Sequence, residues 1–118
     1  MITQVSNGVN GSFLHKELAS GRWYALTLFE QLGNIGSEVS RARRAQGVNP
    51  ARFQGAVDRA LELFDLTIAD KRWRGRLREI GRAREVFCDA VYGEGKEYGS
   101  SLADLERYFD HFAIAARR

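Results

Sequence analysis

Residues 49–70 read NPARFQGAVDRALELFDLTIAD, and the spacing within this stretch decides the fold class. Asn49 followed by Pro50 is the sharpest boundary signal in the chain, because asparagine caps the free amides of a helix and proline fits its first turn without losing a bond. Beyond that boundary Phe53, Val57, Ala60, Leu61, Phe64 and Ile68 recur at helical spacing, while Asp58, Glu62 and Asp65 gather on the opposite side. A half-buried strand would alternate every second residue, and no such pattern competes. The periodicity fades at Asp70, so the spacing predicts a helix over residues 50–69.

Towards the N-terminus, residues 22–46 repeat this logic. Ala25, Leu28, Leu32, Ile35, Gly36 and Val39 fall on one side, and Glu30, Asn34, Glu38 and Arg41 on the other. Ser20 is the expected cap and Gly47 the expected stop. A glycine inside an apolar stripe lowers helix propensity by about 1 kcal/mol, so Gly36 predicts a tight helix crossing. Residues 1–20 include Asn7, Gly8, Asn10, Gly11 and Ser12, which disfavour regular structure and predict a mobile tail. Phe13 and Leu14 are expected to dock that tail onto the body.

Towards the C-terminus, a third helix is predicted over 72–92. Trp73, Leu77, Ile80, Phe87 and Val91 form its apolar stripe, Arg74, Arg78 and Arg82 project from the other side, and Gly93 and Gly95 end it. Ser101 with Asp104 three residues on is a variant capping box. It opens a fourth helix over 102–116, with Leu102, Leu105, Phe109, Phe112 and Ala116 on the buried face. Four amphipathic helices joined by short connections predict an all-α fold, a four-helix antiparallel bundle, with residues 21–118 as one domain.

The stretches LFEQLGNIGSEVSRA (28–42), RALELFDLTIAD (59–70) and RLREIGRAREVFCDAVYG (76–93) resemble a family of small bacterial helical proteins with no assigned activity. That resemblance spans roughly residues 13–118; it implies a helical fold and carries no functional residues. In size and helix pattern the chain is also loosely similar to the four-helix bundle proteins encoded in intervening sequences of ribosomal RNA genes.

Composition excludes several function classes. No apolar run approaches the roughly 20 residues that span a bilayer, so no membrane insertion is expected. The start, MITQVSNGVNGS, lacks the basic and apolar regions of a secretory signal, which predicts a cytoplasmic location. Cys88, the single cysteine, lies in an apolar helical stretch and reads as a buried, inert thiol. With two histidines it falls short of a structural zinc set, and no metal or cofactor is expected. No Glu-x-x-His pair, nucleophile elbow or phosphate loop is present. Glu62 with Asp65 and Glu85 with Asp89 resemble half of the magnesium site of all-α nucleotide pyrophosphohydrolases, but the upstream glutamate pair is missing and a solvated acidic face is expected. His15 and His111 read as surface residues.

Two features remain. Arg84 falls within the apolar arc of the third helix, where an unpaired charge would be costly to bury, and Glu38 is the expected partner. An alternative reading makes Arg84 part of a small helical enzyme or ligand binder, with Glu30, Asn34 or Glu38; the ligand is unspecified. The second feature is charge: fifteen arginines against three lysines, with KRWRGRLREIGRAR (71–84) carrying +6 within a chain of net charge +3. Lys71, Arg72, Arg74, Arg78 and Arg82 are candidates to bind an anion or nucleic acid. The same arginines could meet Asp58, Glu62 and Asp65 of a second copy. The expected function is non-enzymatic association, as a homo-oligomer first and with nucleic acid second.

Overall fold

Thr27 fixes where the first long helix begins. Its hydroxyl accepts from the Glu30 amide at 3.1 Å and the Glu30 carboxylate accepts from the Thr27 amide at 2.8 Å, a reciprocal capping box. Helix α1 therefore spans Leu28–Ala45, preceded by a short 3-10 turn, Arg22–Ala25. Helix α2 spans Pro50–Ile68, a second 3-10 segment Lys71–Arg76, helix α3 Leu77–Tyr92 and helix α4 Leu102–Ala116. The computed structural model describes residues 21–116, and no strand occurs among them. The expectations for the tail, for Phe13 and Leu14, for His15 and for Ser20 as a cap lie outside the described residues.

The later start of α1 rearranges its first turn. Ala25, expected on the buried stripe, is exposed, and Trp23 in the 3-10 turn is fully buried instead. At the other end Gly47 adopts φ +76, a left-handed conformation that an L side chain resists, and terminates the helix. Asn49 then accepts from the Arg52 amide at 3.1 Å and Pro50 opens α2. Val57, Ala60 and Phe64 are buried, with Phe53, Leu61 and Ile68 packed against them.

The third helix also starts later than its apolar spacing suggests. Trp73 has φ −102 and ψ 24, outside helical geometry, and residues 71–76 wind as a 3-10 segment. As a correction, Trp73 is only partly buried and Leu77, expected in the core, is 38% exposed at the first turn of α3. Ile80, Ala83, Phe87 and Ala90 carry the buried side of α3. Ser101 and Asp104 form the expected reciprocal cap of α4, at 2.9 and 3.2 Å.

Phe64 of α2, Phe87 of α3 and Phe109 of α4 meet in the core, with ring centroids 5.8 and 5.9 Å from Phe64. Gly36 lets α4 approach α1 closely. A Cβ placed there would lie 2.6 Å from the Phe109 Cβ, so the α1–α4 crossing requires a bare backbone. Helix α1 packs most extensively on α4 and α2, whereas α3 rests more lightly on α2 and α4. Gln46, Pro50, Val91 and Leu102 line one cavity, which puts the α1–α2 and α3–α4 connections at the same end of the molecule. Among the described residues no helix is long and apolar enough to cross a membrane.

Candidate nucleic-acid interface

The basic segment is held at the opposite end by a buried polar network. Gln31 is fully buried; its side-chain amide donates to the Trp23 carbonyl and to Asp70 Oδ2, each at 3.0 Å, and its oxygen accepts from Trp73 Nε1 at 2.9 Å. Trp23 Nε1 donates to Thr67 Oγ1 at 3.2 Å, and Thr67 donates on to the Leu63 carbonyl at 2.9 Å. Arg72 completes the network, bonding Asp70 at 2.6 Å and the Leu26 carbonyl at 2.7 Å, with its guanidinium 4.4 Å from the Trp73 ring centroid. The hydrogen bond from Arg72 holds the Asp70 carboxyl at about 2, below the usual 3.8, against the opposing effect of burial; Gln31 assists. The buried side chains of Gln31, Thr67 and Asp70 thus all have partners, as burial demands.

This anchoring divides the seven cations of 71–84. Arg72 is committed to Asp70, Arg76 pairs with Glu79 at 2.6 Å, and Arg84 pairs with Asp65 at 3.0 Å. Arg82 lies 3.8 Å from Glu85 and 5.7 Å from the Tyr98 ring centroid. Lys71, Arg74 and Arg78 are exposed and have no partner among the described residues. Of the five candidates read from the sequence, these three present unneutralised charge, while Arg72 and Arg82 are engaged within the chain.

The expected Glu38–Arg84 pair is corrected. Glu38 is buried and accepts from Arg41 at 2.9 Å and from Arg59 of α2 at 3.3 Å. Arg84 reaches Asp65, itself 63% exposed, because α3 packs on α2 and α4 rather than along α1. The proposed grouping of Arg84 with Glu30, Asn34 or Glu38 is not assembled either: Glu30 caps α1, and Asn34 donates to the Glu30 carbonyl at 2.8 Å. Cys88 is half-buried, with an Arg84 nitrogen 3.8 Å from its sulfur.

Two of the four carboxylates that resembled part of a metal site, Glu85 and Asp89, hold a loop. Asp89 accepts from the Glu97 and Tyr98 amides at 3.2 and 3.1 Å, and Glu85 accepts from the Tyr98 hydroxyl at 3.0 Å. That bond holds the Tyr98 hydroxyl above its usual pKa. Among the described residues no group of three or more His, Cys, Asp or Glu is placed to hold a metal ion. Gln31 and Thr67 carried no sequence signal, since a polar residue bordering an apolar stripe reads as surface. Compared with known proteins, the chain matches no family model, no curated protein and no solved structure.

Proposed function

We propose that this chain is a non-enzymatic, four-helix antiparallel bundle that binds nucleic acid through Lys71, Arg74 and Arg78. The observation that carries the reading is that these three exposed cations have no partner among the described residues, Lys71 and Arg74 on a 3-10 segment whose neighbours Arg72 and Trp73 are locked into the body, and Arg78 in the first turn of α3. A rigid backbone presenting unneutralised charge favours phosphate contacts, because little ordering entropy is lost on binding. The antiparallel arrangement is supported by the two helix connections that line one cavity. The likeness to ribosomal RNA intervening-sequence proteins belongs to the same proposal.

Ionic self-association has less support, since the acidic face expected to receive these arginines is already engaged. Asp65 pairs with Arg84, and Asp58 accepts from Gln54 at 2.8 Å. An apolar route to a homo-oligomer is favoured by a different observation: Phe29 and Tyr108 are 43% and 39% exposed and flank Phe112, at centroid distances of 5.8 and 5.3 Å. Light scattering of Phe29→Ser against the parent tests that route, and an unchanged mass removes it.

The test of the leading reading is a fluorescence-anisotropy titration of a labelled duplex oligonucleotide. Non-specific complexes of this kind have dissociation constants on the order of micromolar to 100 micromolar. Lys71→Gln/Arg74→Gln/Arg78→Gln should abolish most of that affinity while the helical circular-dichroism signal is retained. Equal binding by both proteins would overturn the reading.

A further inference from the structure

A second basic site lies at the other end of the molecule. The C-terminal half of α1 carries Arg41 and Arg44, α2 carries Arg52 in its first turn and Arg59 at its midpoint, and the bend between the helices turns all four towards one cavity of about 420 Å³. Asn49 and Val48 complete its wall, and no acidic residue lines it. The side chain of Arg52 has no partner among the described residues, and Arg44 donates to the Ser40 hydroxyl at 2.6 Å, with the Glu106 carboxylate acting on it electrostatically.

Glu38 gives this cluster its order. From its buried position it accepts from Arg41 at 2.9 Å and from Arg59 at 3.3 Å, so two guanidiniums on different helices are fixed by one carboxylate beneath the cavity. Glu106 also acts on Arg44 and pairs with Arg43 at 2.7 Å. With Arg43 included, five guanidiniums meet two carboxylates, Glu38 and Glu106, and an excess of three positive charges remains in and beside the concave surface. Like charges gathered in this way repel, and an anion seated among them would relieve the repulsion. Arginine is the side chain suited to such a site, because its planar fork donates two parallel hydrogen bonds to phosphate oxygens.

We propose that this cavity is a binding site for a small soluble ligand carrying two or more linked phosphate groups. The charge excess exceeds what a single phosphate group neutralises, at about 1.5 to 2 negative charges near neutral pH. The exposed guanidiniums of Arg44 and Arg52 contact the ligand, while Arg41 and Arg59, positioned by Glu38, frame it. The site is separate from Lys71, Arg74 and Arg78 and does not rest on the role proposed for them.

Isothermal titration calorimetry of the full chain with inorganic pyrophosphate, and separately with orthophosphate, tests this. Pyrophosphate should bind saturably and more tightly than orthophosphate. Arg52→Gln should weaken pyrophosphate binding by about tenfold, the loss of one charge-assisted contact, and Arg44→Gln/Arg52→Gln should abolish it. Lys96→Gln removes one positive charge from a residue outside the cavity and should leave the affinity unchanged. Circular dichroism monitors folding of each variant, and Arg52→Lys, which keeps the charge and loses the fork, should bind with intermediate affinity. Absence of saturable binding, equal affinity for the two anions, or equal weakening by Arg52→Gln and Lys96→Gln would overturn the proposal.

Discussion

Phe64 is fully buried where three helices meet, and its ring touches those of Phe87 and Phe109. Phe64→Ala leaves a void that neighbours from separate helices fill poorly, and should lower stability by about 3 to 5 kcal/mol in urea denaturation. Its place was legible because it sits in the middle of a helix, on an apolar stripe that has to pack against neighbouring helices. Glu38 was legible only in part: an ion pair was expected for it, but with Arg84, and what buries and pairs it is the crossing of α2, which delivers Arg59 from 21 positions away. The consequences for charge pairs are opposite. Arg84 and Asp65 are both substantially exposed, so Arg84→Ala should change stability by less than about 1 kcal/mol. Glu38→Gln should be destabilising, and a double-mutant cycle should couple Glu38 to Arg59 and not to Arg84.

Among the elements, α1 and α4 cross through Gly36. Alanine there would gain about 1 kcal/mol of helix propensity, yet its methyl would meet the Phe109 Cβ, which cannot move without shifting the α4 backbone. The clash should dominate, with Gly36→Ala losing about 1 to 3 kcal/mol net, measurable as a lower denaturation midpoint. This crossing was foreseeable from a glycine inside an apolar stripe, as were the Asn49 and Ser101 caps from side chains able to accept amide hydrogen bonds. The winding at 71–76 was not, since Trp73 and Leu77 keep helical spacing while tertiary bonds from Gln31 and Asp70 set the backbone. That junction should be acid-sensitive. Asp70 ionises at about 2 in the fold against 3.8 ordinarily, so folding favours its carboxylate form. The stabilisation, about 2 kcal/mol, is complete above about pH 5 and is lost as pH falls towards 2. Asp70→Asn should therefore be less stable than the parent at neutral pH, with the difference shrinking through this range in pH-dependent unfolding.

For the whole molecule, total charge is readable from composition and its availability is not. The segment 71–84 sums to +6, yet folding commits Arg72, Arg76 and Arg84 to carboxylates and leaves Lys71, Arg74 and Arg78 without a partner among the described residues. Equally, Arg41, Arg44, Arg52 and Arg59 look scattered along the chain until the turn at Gly47 and Asn49 gathers them. Which cations remain unpaired depends on helix packing, and so does any account of what they bind. The most direct measurement is the salt dependence of duplex binding. Three phosphate contacts from Lys71, Arg74 and Arg78 would contribute roughly −2.7 to the slope of log affinity against log salt, and the triple glutamine variant should flatten the wild-type slope by about that amount. A variant slope equal to that of the parent would contradict the claim that these three side chains hold nucleic acid.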